Sequence, residues 1–298
     1  MSTQPLVQQG RLAVLKTYKL YIGGAFPRSE SGRYLRMAKE DGTFMGNLCR
    51  ASRKDFREAV VVARKAQHGW AGRTAFNRAQ IIYRMAEMLE GRREGLTRVI
   101  VDAEGRSAAE ANAEVDASID RLVYYAGWCD KFEQVFGGTN PVASGHFNVS
   151  MIEALGVVTI LSSKNTGLLG LISTVAPVIA MGNAAIVVVE GAGGFAAIEL
   201  AEVLATSDLP GGVINILTGM DDELLPFIAS HGDNDGVFGV GLTPDEQRLV
   251  GEKAADTVKR TFLVDDRDAA GWLDTSLESP WWISPFVEVK TAWHPLGT

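Results

Sequence analysis

An α/β fold with a doubly wound parallel sheet is predicted by two observations, the alternation of segments between residues 154 and 264 and the length of the chain. Five short apolar runs, typical of buried strands, alternate there with four segments of helical periodicity. The chain has 298 residues, of which 46% are hydrophobic, enough for one or two domains with a large core. Sheets of this type bind ligands at the carboxyl ends of their strands.

The first part of the chain predicts one strand pair and three helices. Tyr18–Pro27 contains two short extended runs around a double-glycine turn. One helix begins at Arg53, and apolar residues at helical spacing predict two more, over Phe76–Ala103 and Ser107–Val135. The last of these opens with a capping box, a hydroxyl and a carboxylate three residues apart.

The alternating region follows. Its strands are predicted by apolar, largely β-branched runs over Ala154–Leu161, Ala184–Val189, Val213–Leu217, Val237–Val240 and Thr261–Val264. Its helices are predicted over Leu168–Met181, Phe195–Ala205, Glu223–Ser230 and Asp245–Val258. Because a helix separates each strand from the next, we expect all five strands to run parallel.

Two further segments have the pattern of extended chain but lie outside this alternation. Thr139–Ser150 predicts a hairpin around Ser144-Gly145, and residues 282–294 predict a final strand with no helix of its own. That strand is expected to pair outside the parallel sheet. Residues 266–281 are acidic and aperiodic, which predicts a loop.

Charge and residue content exclude several classes of function. The formal net charge is −7, which argues against a nucleic-acid partner because neutralising phosphates requires a basic face. With 2 cysteines, the chain cannot form a disulfide scaffold or a cysteine-rich metal cluster. The 4 histidines lack the spacing of metal ligands, so no metal site is predicted.

One uncharged stretch, Asn165–Val189, is long enough to cross a bilayer. Pro177 and the Gly182-Asn183 pair interrupt it, so a buried helix, a tight turn and a central strand explain it better than a membrane span. The polar N-terminal residues contain no apolar core of a secretory signal. We therefore expect a cytoplasmic protein without a membrane partner.

Gly191–Ala196 matches the dinucleotide fingerprint G-x-G-x-x-A, and it follows one predicted strand and opens a helix. Amides at such a helix N-terminus can face a pyrophosphate, which makes Gly191 and Gly193 candidate cofactor-binding residues. The fingerprint normally follows the first strand of its unit, whereas this one follows the second. A flexible glycine-rich turn is the competing interpretation.

The two cysteines are candidates for a nucleophile. Cys129 lies within a predicted helix and Cys49 in the extended N-terminal region. A nucleophilic cysteine needs a helix N-terminus, a nearby cation or a base to lower its pKa. Neither position offers one in the sequence, so both are predicted to be packing residues.

Several segments together resemble the NAD-dependent aldehyde dehydrogenase superfamily. They cover most of the chain in the order of that family, and they are Tyr21–Gly24, Ala154–Val158, Ala176-Pro177 with Gly182-Asn183, Leu209–Gly219 and Val289–Trp293. The longest, LPGGVINILTG, is close to the family's LPPGVVNVVTG. The resemblance implies the Rossmann-like NAD-binding domain of aldehyde dehydrogenases and a small β hairpin used for oligomerisation.

The resemblance also identifies functional positions that differ. Asn165 falls on the asparagine whose amide stabilises the oxyanion. Val188 falls on the lysine that binds the adenosine ribose, and Val264 on the general-base glutamate. Gly241 and Thr243 remain from the phosphate loop, whose serine is gone. The thiol domain with its nucleophilic cysteine is absent, so the chain looks most like the truncated, non-catalytic second unit of two-unit aldehyde dehydrogenases.

This resemblance implies a division of the chain into three parts. Residues 1–136 and 154–265 would form the NAD-binding-type domain, and residues 137–153 and 282–298 the β-extension for oligomerisation. Residues 266–281 would be a loop that replaces the catalytic domain.

The expected function is that of an aldehyde-dehydrogenase-like pseudoenzyme, a structural or regulatory subunit that oligomerises with itself or with an active aldehyde dehydrogenase. One alternative is an NAD(P)-dependent aldehyde oxidoreductase with an unconventional nucleophile such as Cys129. Another is a nucleotide-binding module without chemistry. Binding of NAD or NADP is expected to be weak or absent, because the lysine lost at Val188 removes about 1.5–3 kcal/mol of charge-assisted hydrogen bonding.

Overall fold

The computed structural model describes residues 16–39 and 41–297, together with the backbone of residues 7–8 and 11–12. The strands in this part of the chain are β1 (Val7–Gln8), β2 (Arg11–Leu12), β3 (Thr17–Tyr18), β4 (Tyr34–Ala38), β5 (Phe44–Cys49), β6 (Gly138–Asn140), β7 (His146–Ala154), β8 (Val157–Leu161), β9 (Ala184–Val189), β10 (Ile214–Thr218), β11 (Gly236–Val240), β12 (Arg260–Val264) and β13 (Val287–Pro295). The helices are α1 (Arg53–Ala71), α2 (Ala75–Glu90), α3 (Arg93–Glu104), α4 (Ala108–Ala126), α5 (Lys131–Phe136), α6 (Leu169–Ala180), α7 (Gly193–Leu204), α8 (Asp221–Ser230), α9 (Pro244–Ala255) and α10 (Ala269–Trp272).

A five-stranded parallel sheet forms the centre of the fold, with strands in the order β10-β9-β8-β11-β12. This confirms that five strands alternate with helices here and run parallel. Every residue of β8, β9, β10 and β11 is buried, which explains their continuous apolar runs. The chain adds strands on one side of β8 and then on the other, so the topological switch point lies between β8 and β11.

Helices cover both faces of this sheet. One face packs against α6 and α7, which α2, α3 and α4 cover in turn, and the other face packs against α1, α8 and α9. The uncharged stretch forms the buried helix α6, a turn and the central strand β9, as predicted. Among the described residues, no helix is both long enough and apolar enough to span a bilayer.

Two predicted helices are each divided in the structure. The helix expected over residues 76–103 ends at Gly91 and restarts as α3, and the one expected over residues 107–135 ends at Gly127 and restarts as α5. Each glycine is the C-cap of its helix, where the amphipathic pattern gives no sign of a break. The capping box of Ser107 with Glu110 is confirmed.

The N-terminal region contains more strands than predicted. The strand pair expected in Tyr18–Pro27 is present as a small hairpin around the double-glycine turn, with hydrogen bonds between Ile22 and Ala25 (3.0 and 3.1 Å) and from the Leu20 amide to the Pro27 carbonyl (3.1 Å). Two strands that the sequence did not predict, β4 and β5, form a small sheet with β3. Their sequences, YLRMA and FMGNLC, lack a clear apolar alternation.

A second sheet, which we call the arm, consists of residues 138–154 and 287–295. Its strand order is β13-β7-β6, and β13 pairs antiparallel with β7 from Val287↔Ala154 to Pro295↔His146. The predicted hairpin and its pairing with the tail outside the parallel sheet are confirmed. The prediction of one strand from Ala154 to Leu161 is wrong, since β7 ends and β8 begins on either side of Gly156, whose φ is +137°.

Residues 265–286, which we call the strap, connect the last parallel strand to the arm. The predicted loop contains the short helix α10 and 3₁₀ turns at Thr275–Leu277, Pro280–Trp282 and Ser284–Phe286. The tail strand therefore begins at Val287 rather than at Trp282. Trp272, Leu277 and Phe286 are buried in the main core, so the strap is packed rather than loose.

Candidate functional site

The candidate site is the crevice at the carboxyl ends of β8 and β11. Asn165 lies in the loop after β8, and Gly241 and Thr243 follow β11, so the fold brings these three predicted residues to one edge. Gly191 and Gly193 follow β9, which lies on the other side of β8 from β11. The assignment of all five as site residues stays a prediction.

Asp266, at the start of the strap, lies inside this crevice. Its carboxylate accepts hydrogen bonds from the Ser163 hydroxyl (2.7 Å), the Lys164 amide (3.0 Å) and the Trp272 indole N–H (3.0 Å). A Cβ added at Gly241 would lie 2.8 Å from the Asp266 Cβ. The Asp266 side chain thus bonds the loop after β8 and packs close to the turn after β11, a placement that no sequence motif indicates.

Asn165 is held by the strap. Its side-chain Nδ2 donates to the backbone oxygen of Arg267 (3.0 Å), and its own carbonyl accepts from the Arg106 guanidinium. The amide expected to stabilise an oxyanion is therefore engaged in a structural bond. At the position that the resemblance assigns to the oxyanion, one of the two N–H groups of the side-chain amide is thus taken up by the strap.

The turn that the resemblance assigns to the phosphate loop also has its donors paired within the chain. Gly241 has a φ of +67° and donates its amide to the Val264 carbonyl (2.8 Å). Thr243 is the N-cap of α9, and the Glu246 carboxylate accepts from the Thr243 amide and hydroxyl (both 2.8 Å). A carboxylate at this helix N-terminus takes the donors that a phosphate would use and repels a second anion.

The glycine fingerprint has a packing explanation. Gly191 has a φ of +77°, a backbone conformation that favours glycine. A Cβ added at Gly193 would lie 2.9 Å from the Gly167 Cα, so this glycine lets the loop after β8 cross the start of α7. Both glycines are therefore required by the fold, which agrees with the glycine-rich turn interpretation.

A charged cluster that the sequence did not reveal lies at the same edge. The Lys164 ammonium is 2.7 Å from the Glu190 carboxylate and 3.2 Å from the Asp221 carboxylate. Asp221 is buried at the start of α8, and this burial raises its pKa to about 6 despite the opposing attraction of Lys164. Lys164 and Glu190 stand at the ends of neighbouring strands, but their pairing depends on the loop conformation.

Two carboxylates lie beneath the loop after β8. Glu114 accepts from the amides of Leu168 and Leu169 (both 3.1 Å) and so caps α6, while Glu104 and Glu114 both contact Arg106 (3.4 and 3.5 Å). Burial, and next the charge of Glu114, raise the pKa of Glu104 to about 7. The two acids fix the loop that carries Asn165.

Cys129 does not have the surroundings of a nucleophile. It lies in the turn between α4 and α5 rather than in mid-helix, is buried, and donates its S–H to the Tyr125 carbonyl (3.6 Å). Burial raises the pKa of its thiol to about 12, so the thiolate is scarce near neutral pH. Cys49 is also a buried free thiol. Both positions fit the packing role predicted for them.

No metal centre is visible in residues 16–39 and 41–297: no three histidine, cysteine, aspartate or glutamate side chains meet there as possible ligands.

The fold and this edge define a doubly wound α/β domain, with side chains of the chain itself bonded across the carboxyl end of its sheet. Residues 27–264 match the aldehyde dehydrogenase family. The chain therefore belongs to the aldehyde dehydrogenase family.

Two relatives show how much of the family the chain contains. It is 29% identical to the putative aldehyde dehydrogenase DhaS of Bacillus subtilis over 83% of this chain and 50% of that protein. It is 28% identical to the D-glyceraldehyde dehydrogenase (NADP(+)) of Thermoplasma acidophilum over 89% of this chain and 55% of that protein. The chain spans about half the length of the curated relatives it matches.

Solved structures confirm the fold. The NAD⁺ complex of aldehyde dehydrogenase from Bacillus cereus superposes with a TM-score of 0.79 at 24% identity, covering 84% of this chain and 51% of that one. A betaine aldehyde dehydrogenase from Staphylococcus aureus in complex with NAD⁺ gives 0.78 at 22% identity, covering 83% and 50%. The predicted α/β fold, truncated relative to a full aldehyde dehydrogenase, is thereby confirmed.

Proposed function

We propose that the chain is a non-catalytic subunit of the aldehyde dehydrogenase family, which assembles through its arm with itself or with a full-length aldehyde dehydrogenase. The relatives are named as dehydrogenases, so the proposal depends on where this chain departs from them. The single observation that carries it is the contrast between a carboxyl edge without catalytic groups and an arm whose sheet is intact.

Three features oppose catalysis. Oxidation of an aldehyde in this family needs a thiolate that forms a thiohemiacetal before hydride leaves, and Cys129 is buried with a raised thiol pKa. Val264 stands at the position of the general base, and it is an alkyl side chain. One of the two N–H groups of the Asn165 side-chain amide is bonded to the strap. One oxyanion donor cannot offset the loss of both a nucleophile and a base.

The cofactor of the family fits this edge poorly. Val188 is a buried alkyl side chain where the family has a lysine, and the carboxylates of Asp266 and Glu246 occupy backbone donors that a dinucleotide phosphate would need. NAD or NADP would therefore bind weakly or not at all. This disfavours both the oxidoreductase with an unconventional nucleophile and the nucleotide-binding module.

The arm, in contrast, has features of an assembly surface. β13 is a nine-residue edge strand, and no strand in the described part of the chain pairs with its outer side. Val289 and Trp293 on β13 and Phe147 on β7 are exposed. A long edge with exposed apolar side chains is a template for pairing with another chain.

The assembly claim is tested by the mass of the chain in solution, measured by light scattering after size exclusion, alone and mixed with a full-length homologue. We expect a dimer or larger species, and we expect Val289→Lys to reduce it to a monomer because a lysine opposes pairing at an edge. Val61→Lys on α1 is the matched control, because Val61 is 62% exposed and Val289 60% exposed. A strictly monomeric wild-type chain that ignores the homologue would contradict assembly.

The claim of no catalysis is tested separately, by following NADH production with a panel of aldehydes. We expect none above background for the wild type and for Cys129→Ala. Cofactor reduction by the wild type that disappears in Cys129→Ala would instead establish the enzyme with an unconventional nucleophile.

A further inference from the structure

We propose that the strap is an internal stopper, whose Asp266 carboxylate fills the switch-point crevice and excludes a dinucleotide from it. This inference rests on family membership and the geometry of the crevice, and it does not depend on assembly through the arm. It assigns to residues of the strap a role beyond connecting two parts of the chain.

Asp266 lies where a ligand would enter the sheet. In an open α/β sheet a ligand enters where strand order reverses, outside the carboxyl ends of the strands on either side. Here those strands are β8 and β11, and Asp266 contacts Ser163 and Lys164 after the first and packs on Gly241 after the second. The crevice is thus filled by a side chain of the chain itself.

The Asp266 carboxylate is surrounded by hydrogen-bond donors that could instead hold a phosphate. A carboxylate that accepts from a hydroxyl, a backbone amide and an indole N–H uses the kinds of donor by which a sheet edge holds a phosphate. The Arg267 amide also donates to it (2.8 Å). An incoming dinucleotide would have to displace this carboxylate and would meet its negative charge, together with that of Glu246.

The strap is anchored to the rest of the chain, as a stopper must be. The buried Arg121 donates to the Ser173 hydroxyl (2.9 Å) and to the carbonyls of Trp272 and Asp274 (both 3.4 Å). The Tyr125 hydroxyl donates to the strap carbonyl of Leu277 (3.3 Å). Helix α4 therefore ties down the strap behind Asp266.

The test uses the full chain and compares Asp266→Ala with its neighbour Asp265→Ala. Both substitutions remove one negative charge, but Asp265 is exposed and has no side-chain hydrogen bond within the described residues. Hydrogen exchange followed by mass spectrometry measures opening of the strap, and calorimetry measures the affinity for NAD and NADP. Asp266→Asn, which keeps the shape of the side chain, is the second variant should the alanine chain fail to fold.

We expect the strap amides of Asp266→Ala to exchange at least about tenfold faster than in the wild type, because charge-assisted hydrogen bonds are lost. The exchange of β8 and β9 should be unchanged, which shows that the sheet is intact. The affinity of this variant for NAD should rise about tenfold over the wild type. Asp265→Ala should match the wild type in both measurements.

Two results would overturn the proposal. One is strap exchange in Asp266→Ala that equals the wild type. The other is an Asp266→Ala chain whose strap amides exchange faster but whose affinity for NAD equals that of the wild type. Asp266 would then not be the group that excludes the dinucleotide. Neither result bears on the mass of the assembly, so failure of the stopper and failure of assembly are distinguishable.

Discussion

The carboxyl edge of the parallel sheet and the outer edge of the arm are opposites in how their polar groups are satisfied. At the carboxyl edge, Asp266, Asn165 and Glu246 occupy hydrogen-bond donors and acceptors that a ligand would use. On the arm, the nine-residue strand β13 presents an open edge and exposed apolar side chains. The difference teaches that this chain pairs its polar groups internally at one edge and leaves a strand edge open at the other, and the proposed function rests on that contrast.

The largest effect on stability is expected when the buried tryptophan of the strap is substituted. Trp272 is 0% exposed and Trp281, also in the strap, is 66% exposed. Trp272→Ala should lower the free energy of unfolding by about 3–5 kcal/mol, because it opens a cavity and removes the indole bond to Asp266. Trp281→Ala should cost under about 1 kcal/mol. Urea denaturation followed by circular dichroism measures both, and equal losses would show that the strap is not part of the core.

The next effect concerns the support of the loop after β8. Glu114→Ala leaves the buried amides of Leu168 and Leu169 without their acceptor, and it should lower the unfolding free energy by about 1–3 kcal/mol. Asp120→Ala, on the exposed side of the same helix, should change it by less than about 0.5 kcal/mol. A loss for Glu114→Ala no larger than for the control would mean that this carboxylate does not cap α6.

A smaller effect follows from protonation. Burial raises the pKa of Glu104 from its ordinary 4.5 to about 7 and that of Asp221 from 3.8 to about 6. The folded chain therefore holds these protons more tightly than the unfolded chain, so their contribution to stability is full below the unfolded pKa values and is lost as the pH rises through 6 to 7. We expect the unfolding free energy to fall by about 2 kcal/mol between pH 6 and pH 8.

Glu104→Gln should remove most of this pH dependence and leave the part due to Asp221, because the neutral amide has no proton to lose. Glu87→Gln is the control, since Glu87 is largely exposed on α2. Denaturation curves at pH 6 and pH 8 give the slope for each chain. If Glu104→Gln keeps the slope of the wild type, burial of Glu104 is not its source.

The smallest effect on stability is expected in the arm. Trp293 is 58% exposed, so Trp293→Ala should change the unfolding free energy of the dilute chain by less than about 1 kcal/mol. At high concentration the same variant should show a lower assembled fraction by light scattering. A large loss in the dilute chain would place Trp293 in the fold of the single chain and would weaken the contrast with the strap.

The sequence predicted the elements whose pattern is local. The parallel strands were found because strands buried on both faces are continuous apolar runs, and the start of α4 because Ser107 and Glu110 have cap spacing. The helix breaks at Gly91 and Gly127 were missed because a single glycine does not end an amphipathic pattern. Asn165 was located by resemblance, whereas its bond to Arg267 joins residues 102 apart in the chain, which no local pattern contains.

The contrast between a closed crevice and an open arm is tested most directly by hydrogen exchange of the wild-type chain over a series of protein concentrations. Exchange in residues 162–168 and 265–279 should be slow and independent of concentration, because those bonds lie within one chain. Exchange in residues 287–295 should slow as concentration rises, because the outer edge of β13 finds a partner. Exchange of β13 that does not change with concentration, or a strap that exchanges faster than β13 throughout, would contradict the account.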